Sequence, residues 1–148
     1  MEYYEDVSVG DTAEFGEYHV TEAEIVEFAE QYDPQPFHTD PDAATESAFG
    51  ELVASGWHTA AMCMRMLVDG PLAERATMGA RGVDELRWRH PVRPGDTLHL
   101  RTEVVDRRPS ESDPGRGYVD TRVEGLRDDG EVVVSWIALE LVARRPED

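Results

Sequence analysis

The chain has 148 residues, with 32 Asp or Glu against 14 basic side chains, all of them Arg, a formal net charge of −18, five His and one Cys. That length suits one ordinary domain, residues 1–148, with a sizeable core. The charge excludes nucleic acid as a ligand, because such binding needs a basic groove or stripe to displace phosphate counterions, and the sequence has none.

The lone Cys63 makes neither an internal disulfide nor a Cys-rich zinc site, so stability must come from packing. The first residues lack a basic and then apolar leader pattern, and no apolar run approaches membrane-spanning length, so the expected location is the cytoplasm with no membrane partner. High charge with few apolar residues would mean disorder, but 40% of the chain is hydrophobic and those residues fall in periodic segments. The acidity then reads as a carboxylate-dense surface on a folded core. Such a surface suits a very salty, halophilic cytoplasm, where a Debye length of roughly 3 Å at 1 M salt screens self-repulsion.

Residues 12–20 predict a weak strand. A helix follows, opened by the capping box Thr21-x-x-Glu24, with Val20 and Ile25 as its hydrophobic staple and Ile25, Phe28, Ala29 and Tyr32 at helical spacing. Pro34 and Pro36 push the residues before them out of the α region, so the helix stops near Asp33 and residues 33–37 should be extended or turning. Asp40 caps a short second helix with Pro41 in its first position, running to about Ala48. A third helix has Ser55 as its cap residue and is ended by Gly70 and Pro71. Between them, residues 57–68 are apolar nearly all round, which predicts a buried helix. His58 then reads as a core or pocket-wall residue, and Cys63, Met62, Met64 and Met66 as core filler. Strands are expected at 83–90, 97–107, 118–126 and 131–144, with tight turns at 94–96 and 128–130 and a longer polar loop at 108–117. With no repeat and no linker, the elements make one α+β domain of an antiparallel sheet and an apolar helix.

Two segments carry candidate chemistry. In Tyr32-Asp-Pro-Gln-Pro-Phe-His-Thr-Asp40 an acid, Asp33, and an imidazole, His38, stand five residues apart in a proline-stiffened stretch, which suits groups that must be pre-positioned. In Ala54-Ser-Gly-Trp-His-Thr59, Gly56 lies at a helix N-terminus, where free N–H groups and the positive dipole end can receive a developing oxyanion. An acid–base pair beside an oxyanion site points to chemistry next to a carbonyl. On the structural alternative, Asp33 only turns the chain and His38 only caps the next helix. His38, Asp40, Asp42 and His58 match no closed zinc spacing, so no metal is expected. Arg87, Arg89 and Arg93 cluster near a strand end, where they could grip phosphate or pair with carboxylates.

These segments resemble the MaoC-like dehydratase family, the (R)-specific enoyl-CoA hydratases of the hot-dog fold. The family pattern D-x-N-P-[apolar]-H is matched by Asp33, Pro36, Phe37 and His38, followed by Asp40-Pro41. Gly56 matches the glycine that opens the central helix, and Arg89 to Leu98 resembles a later strand-turn-strand. The chain departs at Gln35, where Asn is usual, at Tyr32, where Gly is common, and at Ser55, where His is common. The resemblance implies an antiparallel sheet wrapped around a central buried helix, with residues 33–40 over the pocket, and a homodimer or higher homo-oligomer. It implies an acyl-CoA thioester substrate and no cofactor. Asp33 and His38 would activate one water and the Gly56 N–H would stabilise the enolate, with Ser55, Phe37 and Trp57 as substrate-binding residues. Two alternatives remain, a hot-dog acyl-CoA thioesterase and a non-catalytic acyl-CoA-binding partner subunit.

Overall fold

The computed structural model describes residues 1–147; side chains cap the helices that start at Glu22 and Pro41, and burial alternates along the central strands Thr97–Pro109 and Arg116–Arg127. After a 3-10 turn at Tyr4–Asp6 come β1 (Thr12–His19), α1 (Glu22–Tyr32), α2 (Pro36–Thr39), α3 (Pro41–Thr45), α4 (Gly56–Asp69), α5 (Pro71–Glu74), β2 (Thr77–Trp88), β3 (Thr97–Pro109), β4 (Arg116–Arg127) and β5 (Val132–Ala143). The strands form one antiparallel sheet in the order β1-β3-β4-β5-β2, so β1 and β2 are its edges.

Alternate residues of the central strands, Leu98, Leu100, Thr102 and Val104 on β3 and Val119, Thr121 and Val123 on β4, are buried, as the period-2 geometry of a half-covered sheet requires. Met62, Cys63, Met66 and Leu67 of α4 join the same core as Leu98, Leu100, Val123, Val134 and Trp136. The helix comes close because β4 offers a glycine there: a Cβ on Gly125 would sit 2.8 Å from Cys63 Sγ. Burial pushes the Cys63 thiol up to about 12, so it stays protonated and serves as core filler. No helix among the described residues is long and apolar enough to cross a membrane.

The helix entries follow local chemistry, with one change. Thr21 Oγ1 accepts the Glu24 N–H at 3.2 Å, and Val20 and Ile25 close the staple in full burial. The reciprocal half of the box is replaced, because the Glu24 carboxylate accepts the Tyr18 hydroxyl at 2.9 Å. Asp40 Oδ1 accepts the N–H groups of Asp42 and Ala43 at 3.0 and 3.3 Å and opens α3, which ends at Thr45.

Four expectations need correction. Pro36 begins a helical turn, since its fixed φ suits a first helical position. The sheet is longer than its alternation suggests. Strand β2 starts at Thr77, and its register slips at three places, so the side chains of this edge strand lose the regular period. Ser55 precedes α4 but its side chain makes no cap bond. And α4 is not buried all round: the sheet covers one face, while Trp57, Met64 and Val68 on the other are 58%, 46% and 47% exposed.

Gly16 ties β1 to the helix. It sits at the register shift between Phe15 and Tyr18, with φ +84 and the place of a Cβ only 2.7 Å from Met66 Sδ. Gly16→Ala should destabilise the fold by about 1–3 kcal/mol through backbone strain and displacement of Met66. Chemical denaturation measures this, and an unmoved midpoint would contradict it.

Candidate active site

Helix α1 ends on Asp33, whose N–H still donates to Ala29 O at 2.8 Å while its backbone leaves the helical region at φ −153, ψ 66. Gln35 is extended, at φ −85, ψ 143, and the Pro36 turn then swings His38 back towards Asp33. His38 is buried, and its Nδ1 lies 2.7 Å from the Val53 carbonyl oxygen. A carbonyl only accepts, so Nδ1 carries the proton. In the neutral ring Nε2 is therefore an acceptor, and it stands 3.5 Å from Asp33 Oδ2.

The carboxylate is held from its other side by Gln35, whose Nε2 donates to Asp33 Oδ1 at 2.6 Å. The fully buried Ser55 hydroxyl lies beside it, close enough to favour its charge but without a well-aligned hydrogen bond to any described group. Partial burial works to raise the Asp33 pKa. The Gln35 hydrogen bond, the Ser55 hydroxyl and the charge that His38 carries when protonated together outweigh that and hold it below the usual carboxylate value.

The second segment is pinned by the backbone. Val53 N–H donates to Phe37 O at 3.2 Å and Ala54 N–H to Val92 O at 2.8 Å, which fixes residues 53–55 between the His38 turn and the loop after β2. The first backbone bond within α4 is Thr59 N–H to Ser55 O at 3.0 Å. With the Ser55 side chain turned to Asp33, no cap bond covers the N–H groups of the first turn, which stand at the positive end of the helix dipole. Gly56 is required by contact: a Cβ there would lie 2.4 Å from Trp88 Cε2.

A cavity of about 550 Å³ brings together Asp33, His38, Ser55, Gly56 and Trp57, with Phe49, Trp88 and Pro91 as apolar wall. Phe37 is absent from that wall. Phe37, partly buried, packs against the core and against Phe49 at 5.4 Å between ring centroids, and Phe49 meets the cavity. His58 also lies off the cavity, stacked on Phe28 at 4.7 Å, and burial lowers its pKa, which makes it a neutral core residue. Among the described residues no three His, Cys, Asp or Glu side chains converge to hold a metal ion. A second cavity, of about 340 Å³, lies at the other end of α4 beside the Arg75–Glu140 ion pair and contains neither Asp33 nor His38.

Three parts of the site were not singled out from sequence as site groups. Gln35 stands out in the sequence only as a departure from the family pattern, yet it anchors Asp33. The Val53 carbonyl is a backbone group with no residue signal, and Trp88 lies 30 or more positions away on an edge strand.

The sheet folded around one helix, with this pocket at the helix N-terminus, defines a hot-dog protein of the kind seen in its structural neighbours. The family description "MaoC like domain" matches residues 6–124, and the chain belongs to the MaoC-like dehydratase family. A solved MaoC-like dehydratase from Rhodospirillum rubrum is 46% identical and covers 98% of this chain and 99% of that one, with a TM-score of 0.90. Protein MaoC from Klebsiella aerogenes is 36% identical over 100 residues, 67% of this chain but 29% of that protein. A 3-hydroxybutyryl-CoA dehydratase from Methylorubrum extorquens is 32% identical over 109 residues, 70% of this chain and 64% of that one. The match thus spans less than two thirds of the length of these two curated relatives.

Asp33 supplies a pH prediction. A carboxylate more acidic in the folded than in the unfolded chain adds stability that is present above the unfolded pKa and lost as pH falls through the lowered folded one. The Asp33 carboxyl carbon should titrate below the ordinary Asp range by NMR, and Gln35→Leu should move that titration up. A normal or raised value in the unaltered protein would contradict the geometry.

Proposed function

We propose that this chain is an (R)-specific enoyl-CoA hydratase, or in reverse a 3-hydroxyacyl-CoA dehydratase, and that it works as one cytoplasmic domain, residues 1–148. The observation that carries this reading is the convergence of two acceptors, Asp33 Oδ2 and His38 Nε2 at 3.5 Å, beside an uncapped helix N-terminus in one cavity. An ionised Asp33 and a neutral His38 both accept, so a single water can donate one hydrogen to each and present its oxygen lone pair. That oxygen bonds to the β-carbon of a trans-2-enoyl thioester. The proton left on the acid–base pair goes to the α-carbon, the double bond becomes single, and the thioester stays intact.

As the β-carbon is attacked, negative charge moves to the thioester oxygen. The Gly56 N–H, at the positive end of α4, is the donor for that enolate, and a donor of this kind contributes about 3 kcal/mol. Ser55 and Trp57 border the acyl thioester. The reaction is written with no cofactor.

The same reading includes a homodimer. Edge strand β2 leaves one side of its main chain unpaired, and Met78, Val83 and Trp88 on it are each about half exposed. Trp57 of the open α4 face meets Trp88 edge-on at 5.0 Å, so the helix and the strand offer neighbouring apolar surface. A second copy pairing along β2 covers both. With a charge of −18 on each copy, this association and the binding of an anionic substrate both need screening, which is the functional meaning of a halophilic surface.

Asp33→Asn or His38→Ala should lower turnover roughly a hundredfold or more while the fold survives, read as loss of enone absorbance from crotonyl-CoA in molar potassium chloride. Retained activity in both variants would contradict the mechanism, and release of free thiol would identify a thioesterase instead. Calorimetric binding of crotonyl-CoA with no absorbance change at any salt concentration would identify a non-catalytic subunit. Activity and dimer fraction should rise together with salt, the latter by light scattering. A fully active dimer at about 50 mM salt, where screening is weak, would sever the acidity from the function.

A further inference from the structure

The edge strand that borders the cavity carries a second feature on its opposite face. Glu85 has a positive φ of 56, at the last register shift of β2, between Asp84 and Arg87. The irregularity resets the strand so that Trp88 turns to Gly56 and α4, while Arg87 and Arg89 turn to the outer face. Arg87 stands opposite Ser135 of β5, Ser135 opposite Glu124 of β4, and Glu124 opposite Arg101 of β3. Of this row Arg87, Ser135 and Glu124, joined by Arg89, Arg122 and Glu85, border a groove of about 500 Å³.

Charge is distributed unevenly along this row. Arg101 holds Glu124 at 3.0 Å, and Glu103 holds Arg122 at 2.9 Å. Arg87 reaches only its neighbour's carbonyl, Leu86 O, at 2.9 Å. Arg89 donates from Nε to Ser135 Oγ at 2.8 Å, a contact that orients the guanidinium and leaves its outer N–H groups free. Among the described residues only Arg87, Arg89 and Arg107 lack a carboxylate partner, and Arg107 is engaged by the ring and carbonyl of Tyr4. In a chain with 32 acidic side chains and 14 Arg, two adjacent, uncommitted arginines on one strand face are an exception that calls for an anion. Arg89 also borders the cavity of Asp33 and His38, so the groove and the candidate site share a wall.

We propose that Arg87 and Arg89 bind the phosphate groups of the substrate's CoA carrier, its 3′-phosphate or its diphosphate, in this outer groove. The assignment rests on the acyl-thioester reading above and adds the place where the nucleotide end sits. Guanidinium groups suit phosphate because they present paired N–H donors to paired oxygens. Pairing of β2 with a second copy uses the main chain, so the arginine side chains on the outer face stay available.

The test compares crotonyl-CoA with crotonyl-pantetheine, which has the same acyl group and no phosphate. In the double variant Arg87→Ala, Arg89→Ala the ratio of kcat/KM for the CoA thioester to that for the pantetheine thioester should fall about tenfold or more; Arg107→Ala should leave the ratio where it is. An unchanged ratio in the double variant would overturn the assignment. Calorimetry with adenosine 3′,5′-bisphosphate reports on the arginines independently of turnover. Binding by the unaltered protein that weakens about tenfold in the double variant supports the assignment, even if no thioester is hydrated and the reaction reading fails. No binding by the unaltered protein overturns it.

Discussion

The hydrogen bond from His38 Nδ1 to the Val53 carbonyl, at 2.7 Å, is the constraint from which the site follows. It joins the segment after α1 to the segment before α4, two stretches that the chain separates by a whole short helix. It also fixes which ring nitrogen carries the proton, and so turns Nε2 into an acceptor facing Asp33. The same crossing is reinforced in the reverse direction by Val53 N–H to Phe37 O, so the ring and its carbonyl partner cannot drift apart without breaking backbone bonds. Gln35 then does for Asp33 what Val53 does for His38: it occupies one oxygen and leaves the other facing the imidazole. Two acceptors held this way are stable only if something donates to both, which is the physical ground for the single water in the proposed reaction.

The second constraint is charge. Most surface arginines are committed to carboxylates, as in Arg65–Asp69, Arg108–Asp106 and Arg122–Glu103, and exposed pairs of this kind contribute little to stability, about 0–1 kcal/mol each. Their effect is to remove positive charge from a surface that already has little. On the proposed reading, a CoA thioester would meet repulsion almost everywhere except where arginines are left uncommitted. The proposal thus puts the burden of substrate capture on a few residues and on the salt of the medium.

Legibility in the sequence followed the range of the interaction. The Thr21 cap, the Val20–Ile25 staple, the Asp40 cap with Pro41 and the turns at Gly95 and Gly130 depend on residues within four or five positions, and each could be read in advance. The strands of the antiparallel sheet were readable, most clearly from alternation on β3, while its wrapping around α4 followed only from the family resemblance. Strand β2 was read only from Val83, since an edge strand with bulges and exposed side chains keeps no period. The exposed face of α4 was hidden for a related reason: apolar residues all round a helix do not say whether sheet or a second copy covers them. In the site, Asp33, His38 and Gly56 were legible through motif and helix position. That Phe37 packs beside Phe49 and does not line the cavity depends on tertiary contacts, and the Val53 carbonyl and the Trp88 ring were invisible because a backbone acceptor and a contact across some thirty residues leave no local mark.

The central claim is that Asp33 and His38 act as one unit on one water, and a double-variant cycle tests that more directly than either single change. Rates of crotonyl-CoA hydration should be measured for the unaltered chain, Asp33→Asn, His38→Ala and the pair together, in molar potassium chloride. If the two groups share a water, removing either already forfeits it, and the double variant should be about as slow as the slower single variant. Losses that multiply in the double variant would mean that the two side chains act separately, and would contradict the account.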